Sequence, residues 1–303
     1  MSGPIVFVGT ATLDHIALVD RVPHSDQRIP ALELIQCGGG PAANAAAAAR
    51  ALGAPCSLIS AVGDDAAGAA IVAELERDGI ETSGVQVVQG GRSSTSLIHV
   101  ESSGLRAITY YGGVLQDYEL SRFPAESVRQ AALVHADGNR PELTLLALQT
   151  AKHLGIPTSL DGGNIREGDL ERLLPYVDVF ITDVKSLPQA LAELPPEQAC
   201  LELAQSGPSC TAITLGKQGC VLWSEAQGFS RVQGIPVKAL DTTGAGDNFH
   251  GAFAYGLWKG MAPADNLKLS NAFAALSCEG LGGRGRLATF EEIDRLYLQG
   301  SQP

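Results

Sequence analysis

The chain has 303 residues, of which 45% are hydrophobic, and its formal net charge is -12 at pH 7. This apolar content can fill a large core, whereas the negative charge argues against a broad nucleic-acid surface. The sequence contains neither a long apolar run nor a basic leader followed by an apolar stretch, so we expect no membrane span and no export. We therefore expect a globular, cytoplasmic protein whose partners are small molecules.

The cysteines give no sign of a metal site. None of the six belongs to a C-x-x-C pair, and no histidine-rich spacing accompanies them. We interpret them as buried thiols in a reducing compartment.

Apolar runs alternate with helical patterns along most of the chain. The first run, from Ile5 to Gly9, is typical of a buried parallel strand. Further strands are predicted at 56–61, 133–136, 158–160 and 179–182, with helices between them, and at 212–216 and 219–223 around a turn. This rhythm predicts an α/β protein with a mostly parallel sheet covered by helices.

Two segments do not fit that rhythm. Residues 16–36 are dotted with prolines and alternate weakly, so we expect irregular strands outside the main sheet. Thr95 to Val100 and Ala107 to Tyr111 flank the turn ESSG and predict a β-hairpin. Tyr110 and Tyr111 could pack on a ligand, although packing in the core is the more ordinary role for such residues.

Polar residues follow several of the predicted strands. In an open parallel sheet the carboxyl ends of the strands form the ligand-binding edge, so these residues are candidates for a site. They are Asp14 in the loop after the first strand, Asp137 with Asn139 and Arg140, Asp161 with Asn164, and Thr182 with Asp183.

The segment from Gly38 to Gly53 reads GGGPAANAAAAARALG and predicts an alanine-rich helix entered through small residues and a proline. Alanines bury little surface, so another element must pack very close to this helix. Asn44 is a polar residue in an early turn that packing does not explain. The spacing does not match the dinucleotide fingerprint G-x-G-x-x-G, and no strand directly precedes it.

The stretch DTTGAGDNFHGAF, from Asp241 to Phe253, is the most informative in the chain. It follows a predicted strand at 235–239 and leads into an apolar helix. The backbone N–H groups from Gly244 to Asp247 would point outward at the positive end of the helix dipole and bind an anion. Asp247 could simply cap the helix. Beside a phosphate-binding turn, however, a carboxylate could also deprotonate an attacking hydroxyl.

This stretch resembles the second signature of the PfkB carbohydrate kinases, the ribokinase-like family, and Asp-Thr-x-Gly-Ala-Gly-Asp is far longer than a lone glycine motif. The resemblance implies that Asp247 is the catalytic base. It also implies that Asp241 and Thr243 help to hold a monovalent cation such as K⁺. The amides of the family's anion hole would be those of Gly244, Ala245 and Gly246.

The alanine-rich segment resembles the first signature of the same family, in which glycines approach the sugar and an asparagine binds its hydroxyls. Carried over, these residues are Gly39, Gly40 and Asn44. In ribokinase-like enzymes an aspartate at the end of the first strand also binds sugar hydroxyls, and Asp14 matches that position. Asn139 and Arg140 are further candidates on the substrate side.

On the nucleotide side, the run Thr-Leu-Gly-x-x-Gly resembles a family loop that contacts ATP, although a bare β-turn is an equal alternative. The residues are Thr214, Gly216 and Gly219. Asn271, interpreted as the start of an alanine-rich helix, matches a position beside adenine. The family's Asn-x-x-Glu motif, which helps to place Mg²⁺ and phosphates, is replaced by Thr182 and Lys185 at the aligned positions. The arrangement of Mg²⁺ should therefore differ.

The two signatures occur in the family's order, and the resemblance covers nearly the whole chain. It implies one domain with the ribokinase-like three-layer α/β/α fold and a small β-sheet lid. The core would comprise about 1–12, 38–88 and 114–303, and the lid about 13–37 and 89–113. The lid often pairs with that of another subunit in this family, so a homodimer is expected. His250, on the helix after the second signature, has no partner motif and is interpreted as a packed histidine.

The implied function is phosphorylation of a sugar hydroxyl with ATP and Mg²⁺. The GGGPAAN turn and the GGR ending at Arg284 resemble the sulfofructose kinase branch, whose acidic sugar needs cations such as Arg28 and Arg140. Arg140 is shifted by one position relative to that branch, and Tyr110 replaces its asparagine. A neutral ketose or ribose is therefore equally compatible.

Three alternatives stay open. A nucleoside kinase of the same fold would prefer a ribose that bears a base. A sugar-binding protein without catalysis is compatible with the altered Asn-x-x-Glu region but is opposed by the intact Gly-Ala-Gly-Asp. An NAD-dependent oxidoreductase could also alternate strands and helices, but the Rossmann fingerprint is missing after the first strand.

Overall fold

The computed structural model describes residues 2–163 and 165–299, so Asn164 lies outside the described residues. The strands of the described chain are β1 (Ile5–Val8), β2 (Thr12–Val19), β3 (Glu33–Gly39), β4 (Cys56–Gly63), β5 (Ile80–Val88), β6 (Thr95–Glu101), β7 (Arg106–Tyr111), β8 (Leu133–Ala136), β9 (Thr158–Asp161), β10 (Val179–Asp183), β11 (Cys210–Thr214), β12 (Cys220–Ser224) and β13 (Gly228–Val232). The α-helices of the same residues are α1 (Pro41–Ala51), α2 (Ala66–Arg77), α3 (Ala125–Arg129), α4 (Pro141–His153), α5 (Glu167–Leu173), α6 (Gln189–Ala192), α7 (Pro196–Ala204), α8 (Ala245–Lys259), α9 (Pro263–Ser277) and α10 (Phe290–Gln299).

The strands form two sheets. The larger has the order β13-β12-β11-β10-β9-β8-β1-β4-β5, and its strands are parallel from β11 to β5, with an antiparallel edge at β12 and β13. The smaller has the order β3-β2-β6-β7 and is antiparallel except between β2 and β6. We call this smaller sheet the lid. The α/β class with a mostly parallel sheet and a small second sheet is therefore confirmed.

Helices cover both faces of the larger sheet, which gives three layers. On one face α1, α2, α8, α9 and α10 enclose one apolar core, and on the other α3, α4, α5 and α7 enclose a second. β1 contributes to both cores because successive side chains of a strand point to opposite faces: Ile5 and Phe7 face the first, and Val6 and Val8 the second. None of the helices in the described ranges combines the length and the apolar character needed to cross a membrane.

The alanine-rich helix α1 is packed as its composition predicted. Its residues 42–49 are all buried, and α8 approaches so closely that a Cβ atom on Gly251 would overlap the carbonyl oxygen of Ala45. Pro41 occupies the first turn, where its missing N–H costs nothing. The first glycine-rich segment (38–53) contains α1, and the second (241–253) contains the start of α8. The close packing of the two helices therefore brings the two segments together.

Three sequence-based expectations about elements are wrong. Residues 235–239 form no strand: Pro236 cannot donate to a ladder, and a Cβ atom on Gly234 would overlap the carbonyl oxygen of Lys217, where the chain leaves the sheet. Asn271 does not open a helix but lies inside α9, which starts eight residues earlier at Pro263. Asp14 does not lie in a loop, because β2 begins at Thr12, directly after the turn that follows β1.

Strands β5 and β13 were not foreseen as strands. The six cysteines are free thiols as expected, and four are buried. Cys37 and Cys278 are only partly buried, which differs from the expectation.

Candidate active site

The turn before α8 has the backbone geometry of an anion-binding site. Gly244 caps the helix with φ of 72°, a left-handed conformation that favours glycine, and a Cβ atom there would lie 2.5 Å from the Cα of Gly283. The amides of Gly246 and Asp247 lie in the first helical turn, where no carbonyl four residues earlier can accept from them. The amide of Ala245 differs from the expectation, because it donates to the carbonyl of Thr242 at 3.3 Å.

Asp247 stands at this turn as a partly buried carboxylate. Its Oδ2 accepts a hydrogen bond from the side-chain nitrogen Nδ2 of Asn44 at 2.8 Å. Burial raises the pKa of Asp247 to about 6, with Asp161 and Asp137 also raising it and with Asn44 and His250 lowering it. A carboxyl group with such a pKa can accept a proton near neutral pH, as a general base must.

Arg284 holds the other end of the Asn44 amide. Its Nε donates to Asn44 Oδ1 at 3.0 Å, and its Nη2 donates to the carbonyl of Gly39 at 3.3 Å. The side chain is 5% exposed, and its Nη1 lies 3.4 Å from Glu74 Oε1. Glu74 Oε2 in turn accepts from the amide of Gly38 at 2.9 Å. Because both ends of its amide contact protein, the orientation of Asn44 is fixed, with Nδ2 donating to Asp247. The sequence assigned this side chain only to the substrate.

Asp14 lies on the lid side of the same region. It is 3% exposed and accepts a hydrogen bond from Thr12 Oγ1 at 2.7 Å. Burial raises the pKa of Asp14, although hydrogen bonds from Thr12 and Ser96 lower it in part. A Cβ atom on Gly39 would overlap this carboxylate. The packing around Asp14 therefore requires glycine at position 39, apart from any contact with a ligand.

The lid also brings a tyrosine to this side. Strand register pairs Asp14 with Ser96 and Ser96 with Tyr110, so the three side chains share one face of the lid. Tyr110 is 77% exposed and does not pack in the core. Tyr111 lies on the opposite face and is also exposed.

The side chains of Asp137 and Arg140, which follow β8, form hydrogen bonds with backbone groups. Asp137 is 1% exposed and accepts from the amides of Thr10 at 2.6 Å and Asn139 at 3.0 Å. Burial raises the pKa of Asp137, which these amides lower in part. The guanidinium of Arg140 donates to the carbonyl of Leu115 at 2.6 Å.

The two arginines expected to bind an acidic sugar are thus not brought together. The Arg140 guanidinium is engaged by Leu115 and also lies 5.9 Å from the ring centroid of Tyr118. Arg28 is exposed in the loop between β2 and β3. Neither joins the contacts that link Asp247, Asn44 and Arg284.

A buried ion pair lies behind Asp247. His250 Nε2 is 3.2 Å from Asp161 Oδ1, and the two side chains are only 6% and 12% exposed. The expectation of a packed histidine therefore omitted its partner, and no residue near His250 in the sequence points to Asp161. The place of His250 three residues after Asp247 on one helix brings the side chains of these two residues to the same face.

On the other side of the glycine turn lies a cavity of about 470 Å³, a usual size for a small-molecule site. Its lining includes the predicted nucleotide contacts Thr214, Gly216, Gly219 and Asn271, together with Thr242, Ala245 and Gly246. Much of the remaining lining is apolar and comes from the misassigned segment, with Ile235, Pro236, Val237 and Ala239, and from Phe249. Thr182, which was also predicted, is buried at the end of β10 and is not in this lining.

Asp241 ties the turn to a neighbouring loop. Its Oδ1 accepts from the amide of Thr243 at 2.8 Å and from Thr243 Oγ1 at 2.7 Å, and its Oδ2 accepts from the amide of Gly282 at 2.8 Å. Protein donors therefore occupy much of the carboxylate that the sequence assigned to a cation. Within 2–163 and 165–299, no group of three His, Cys, Asp or Glu side chains could hold a metal ion.

A glycine turn with free amides, a carboxylate of raised pKa and an adjoining, mostly apolar cavity are features that a phosphoryl-transfer site requires. Residues 3–289 match the model of the pfkB family carbohydrate kinases. The chain therefore belongs to the pfkB family of carbohydrate kinases, and the class of ATP-dependent carbohydrate kinase predicted from the sequence is confirmed.

Individual relatives agree with this membership. A ribokinase of Lactococcus lactis is 27% identical over 301 residues, which cover 94% of each chain. A nucleoside kinase of Methanothermobacter thermautotrophicus is 25% identical over 300 residues, covering 97% of this chain and 96% of the relative. The crystal structure of a candidate ribokinase from Agrobacterium tumefaciens superposes with a TM-score of 0.93 at 29% identity over the whole of both chains.

Proposed function

We propose that this protein transfers the γ-phosphoryl group of ATP to a hydroxyl group of a small neutral sugar. The observation that carries the proposal is the position of Asp247. Its carboxylate lies in the first turn of α8, beside the amides of Gly246 and its own residue, and the preceding Ala245 and Gly246 line the apolar cavity. A base and an anion hole within one helical turn are what a phosphoryl-transfer site requires.

The residues of the chain divide the work. Asp247 accepts the proton of the attacking hydroxyl, whose oxygen forms a bond to the γ-phosphorus as the bond to the β–γ bridging oxygen breaks and ADP leaves. The amides at the start of α8 stabilise the charge on the transferring group. Asp14 and Asn44 orient the sugar, and Tyr110 covers it from the lid face that it shares with Asp14.

The cavity beside the glycine turn suits a nucleotide. The apolar walls from Ile235 to Ala239 and Phe249 fit a base, while Gly216, Gly219 and Gly246 leave room near the backbone. Mg²⁺ would supply neutralisation of the charge on the phosphates. It commonly binds through phosphate oxygens and water with only one or two carboxylates, which fits a site whose described residues hold no group of three ligating side chains.

Charge supports a neutral sugar rather than an acidic one. Asp247 and Asp137 interact electrostatically, and Asp14 is buried on the lid side, so an anionic substituent close to these carboxylates would be repelled. The buried Arg284, which contacts Asn44, is already balanced by Glu74 and Asp78 at 3.4 and 3.9 Å. The proposal therefore favours ribose or fructose over sulfofructose.

The test is ADP release from Mg-ATP with ribose, fructose, fructose 6-phosphate, sulfofructose and nucleosides, each with and without potassium. We expect turnover with a neutral sugar. Turnover only with a nucleoside would move the assignment toward the activity of the archaeal relative, and turnover only with sulfofructose would contradict the charge argument. Sugar binding without any turnover would contradict catalysis. The potassium arm tests the cation expected near Asp241 and Thr243.

The lid also supports a homodimer. Register places Leu34, Leu97 and Tyr111 on the face opposite Asp14, and these side chains are 72%, 55% and 56% exposed. β7 is an edge strand of the lid, and all of its side chains are exposed. An exposed edge strand beside an exposed apolar face favours pairing with a second copy. Sedimentation should show a dimer that Leu97→Glu weakens. A monomer at micromolar concentration would contradict this.

A further inference from the structure

A buried pair of opposite charges lies directly behind the proposed base. Asp161 is the last residue of β9, in the middle of the parallel sheet, and His250 follows Asp247 by three residues on α8. Side chains three residues apart on a helix are neighbours. The Nε2–Oδ1 distance of 3.2 Å joins the two charges.

The surroundings favour the charged form of both partners. Burial alone would raise the pKa of Asp161, but His250 and the amide of Gly163, at 2.7 Å from Oδ1, hold it below its ordinary value. Burial alone would lower the pKa of His250, but Asp161, with weaker help from Asp247 and Asp183, raises it above its ordinary value.

The second histidine behind the pair stays neutral. Burial, together with His250, lowers the pKa of His135 to about 3. Its ring centroid is 5.4 Å from that of His250, and its Nδ1 lies 3.1 Å from Ser159 Oγ. His250 is therefore the histidine that can carry charge there.

Asp161 also fixes the ring of His250. The Nδ1 atom of His250 is buried and has no hydrogen-bond partner among the residues that the structure describes. Among the described residues, the contact of Nε2 with Asp161 is therefore the polar contact that orients the His250 ring. The ionisable groups that surround His250 and Asp247 from the adjoining elements are Asp137 after β8, His135 in β8, Asp161 in β9 and Asp183 in β10.

We infer that the His250–Asp161 pair is a positioning pair for Asp247, whose two charges set the electrostatic potential at that carboxylate and hence the pH range in which it accepts a proton. The inference rests on the proposed function, since it assigns a task to residues that support the base. Neither partner needs to touch the sugar or the nucleotide.

The two charges act on Asp247 in opposite directions, which makes the inference specific. Asp161→Asn removes the carboxylate that keeps His250 protonated, so both charges of the pair are lost and the pKa of Asp247 should stay close to that of the wild type. His250→Gln removes the positive charge and leaves the aspartate, so the pKa of Asp247 should rise. A single charge close to a carboxyl group shifts its pKa by about one unit.

The experiment is the pH profile of kcat/KM for the wild type, Asp161→Asn, His250→Gln and the double variant, with exposed His153→Gln as the matched control. We expect the acid limb to move by about one pH unit to higher pH in His250→Gln and to move little in Asp161→Asn. The double variant should return close to the wild type, and the control should not move. No shift in His250→Gln, or a shift in the double variant as large as that in His250→Gln, would overturn the inference.

A second readout is independent of turnover. Nitrogen NMR of labelled His250 should show a pKa that falls when Asp161 becomes Asn, and carboxyl-carbon NMR should show a raised pKa of Asp247 in His250→Gln. An unchanged titration of Asp247 in folded His250→Gln would also overturn the inference. If the NMR titrations of His250 and Asp247 behave as expected but the wild type phosphorylates no sugar, the proposed function would be contradicted while the electrostatic role of the pair would stand.

Discussion

The side-chain nitrogen Nδ2 of Asn44 lies 2.8 Å from Oδ2 of Asp247 and so joins the two glycine-rich signatures of the chain across 203 residues. The hydrogen bond favours the ionised carboxylate, and it lowers the pKa of Asp247, which burial raises to about 6. α1 and α8 pack closely enough to make this contact because small residues line their interface.

Asn44→Ala should therefore raise the pKa of Asp247 and leave less of it ionised near neutral pH. A hydrogen bond to a charged group contributes about 1.5–3 kcal/mol, so the acid limb of the activity profile should move up by about one pH unit, with a clear loss of kcat. The matched control is Asn266→Ala, because Asn266 is equally buried and its Nδ2 donates to the carbonyl of Phe253 at 2.9 Å, away from the site. It should lower the melting temperature without shifting the profile. Equal shifts in both variants would contradict the account.

The pH dependence of the wild type follows from the same carboxylate. The pKa of Asp247 is raised to about 6, chiefly by burial. Only the ionised form can accept a proton, so kcat/KM should be constant above that pKa and fall tenfold per pH unit below it. A profile measured with saturating Mg-ATP would show this limb, and an acid limb near pH 4 would indicate a carboxylate in a more exposed setting.

Arg284 should be important for stability because its charge is buried. Arg284→Met leaves Glu74 and the Asn44 amide without their partner, and breaking a buried pair costs about 3–5 kcal/mol. Arg77 offers a matched control, because it also pairs with Glu74, at 3.8 Å, but its side chain is 71% exposed. Arg77→Met should cost less than about 1 kcal/mol in the free energy of unfolding. Denaturant titration of both variants measures the difference, and similar losses would contradict the importance of the buried Arg284 charge for stability.

The two glycines of the turn should respond differently to alanine. Gly244→Ala forces a left-handed residue toward the backbone of Gly283 and should destabilise the fold by about 1–3 kcal/mol. A Cβ atom on Gly246 meets no protein atom within 4 Å, so Gly246→Ala should fold as well as the wild type. Because Gly246 lines the cavity, that methyl group should instead raise the KM for ATP. Melting curves and ATP titrations separate the two effects, and an unchanged KM would remove Gly246 from the anion hole.

Patterns local in sequence predicted much of this molecule. The hairpin of β6 and β7, the parallel rhythm and the anion turn before α8 each depend on neighbouring residues, and they were recognisable. The misassigned strand at 235–239 shows the limit: its apolar residues are explained by a cavity that α8 and α9 complete, and Pro236 was the one local warning.

Contacts between distant segments were not predictable in the same way. Arg284 meets Asn44 across 240 residues, and His250 meets Asp161 across the sheet. Nothing near either residue reveals its partner. Likewise, the sequence allowed Arg140 to bind an acidic sugar, whereas in the fold its guanidinium donates to the carbonyl of Leu115.

The measurement that tests the central claim most directly compares the wild type with Asp247→Asn, using the sugar that the panel selects. The substitution keeps the size of the side chain but removes the base. We expect kcat to fall about a thousandfold while the Kd for the sugar, measured by calorimetry, changes little. Turnover within a few-fold of the wild type, or a loss of sugar binding as large as the loss of kcat, would contradict the role of Asp247 as the base.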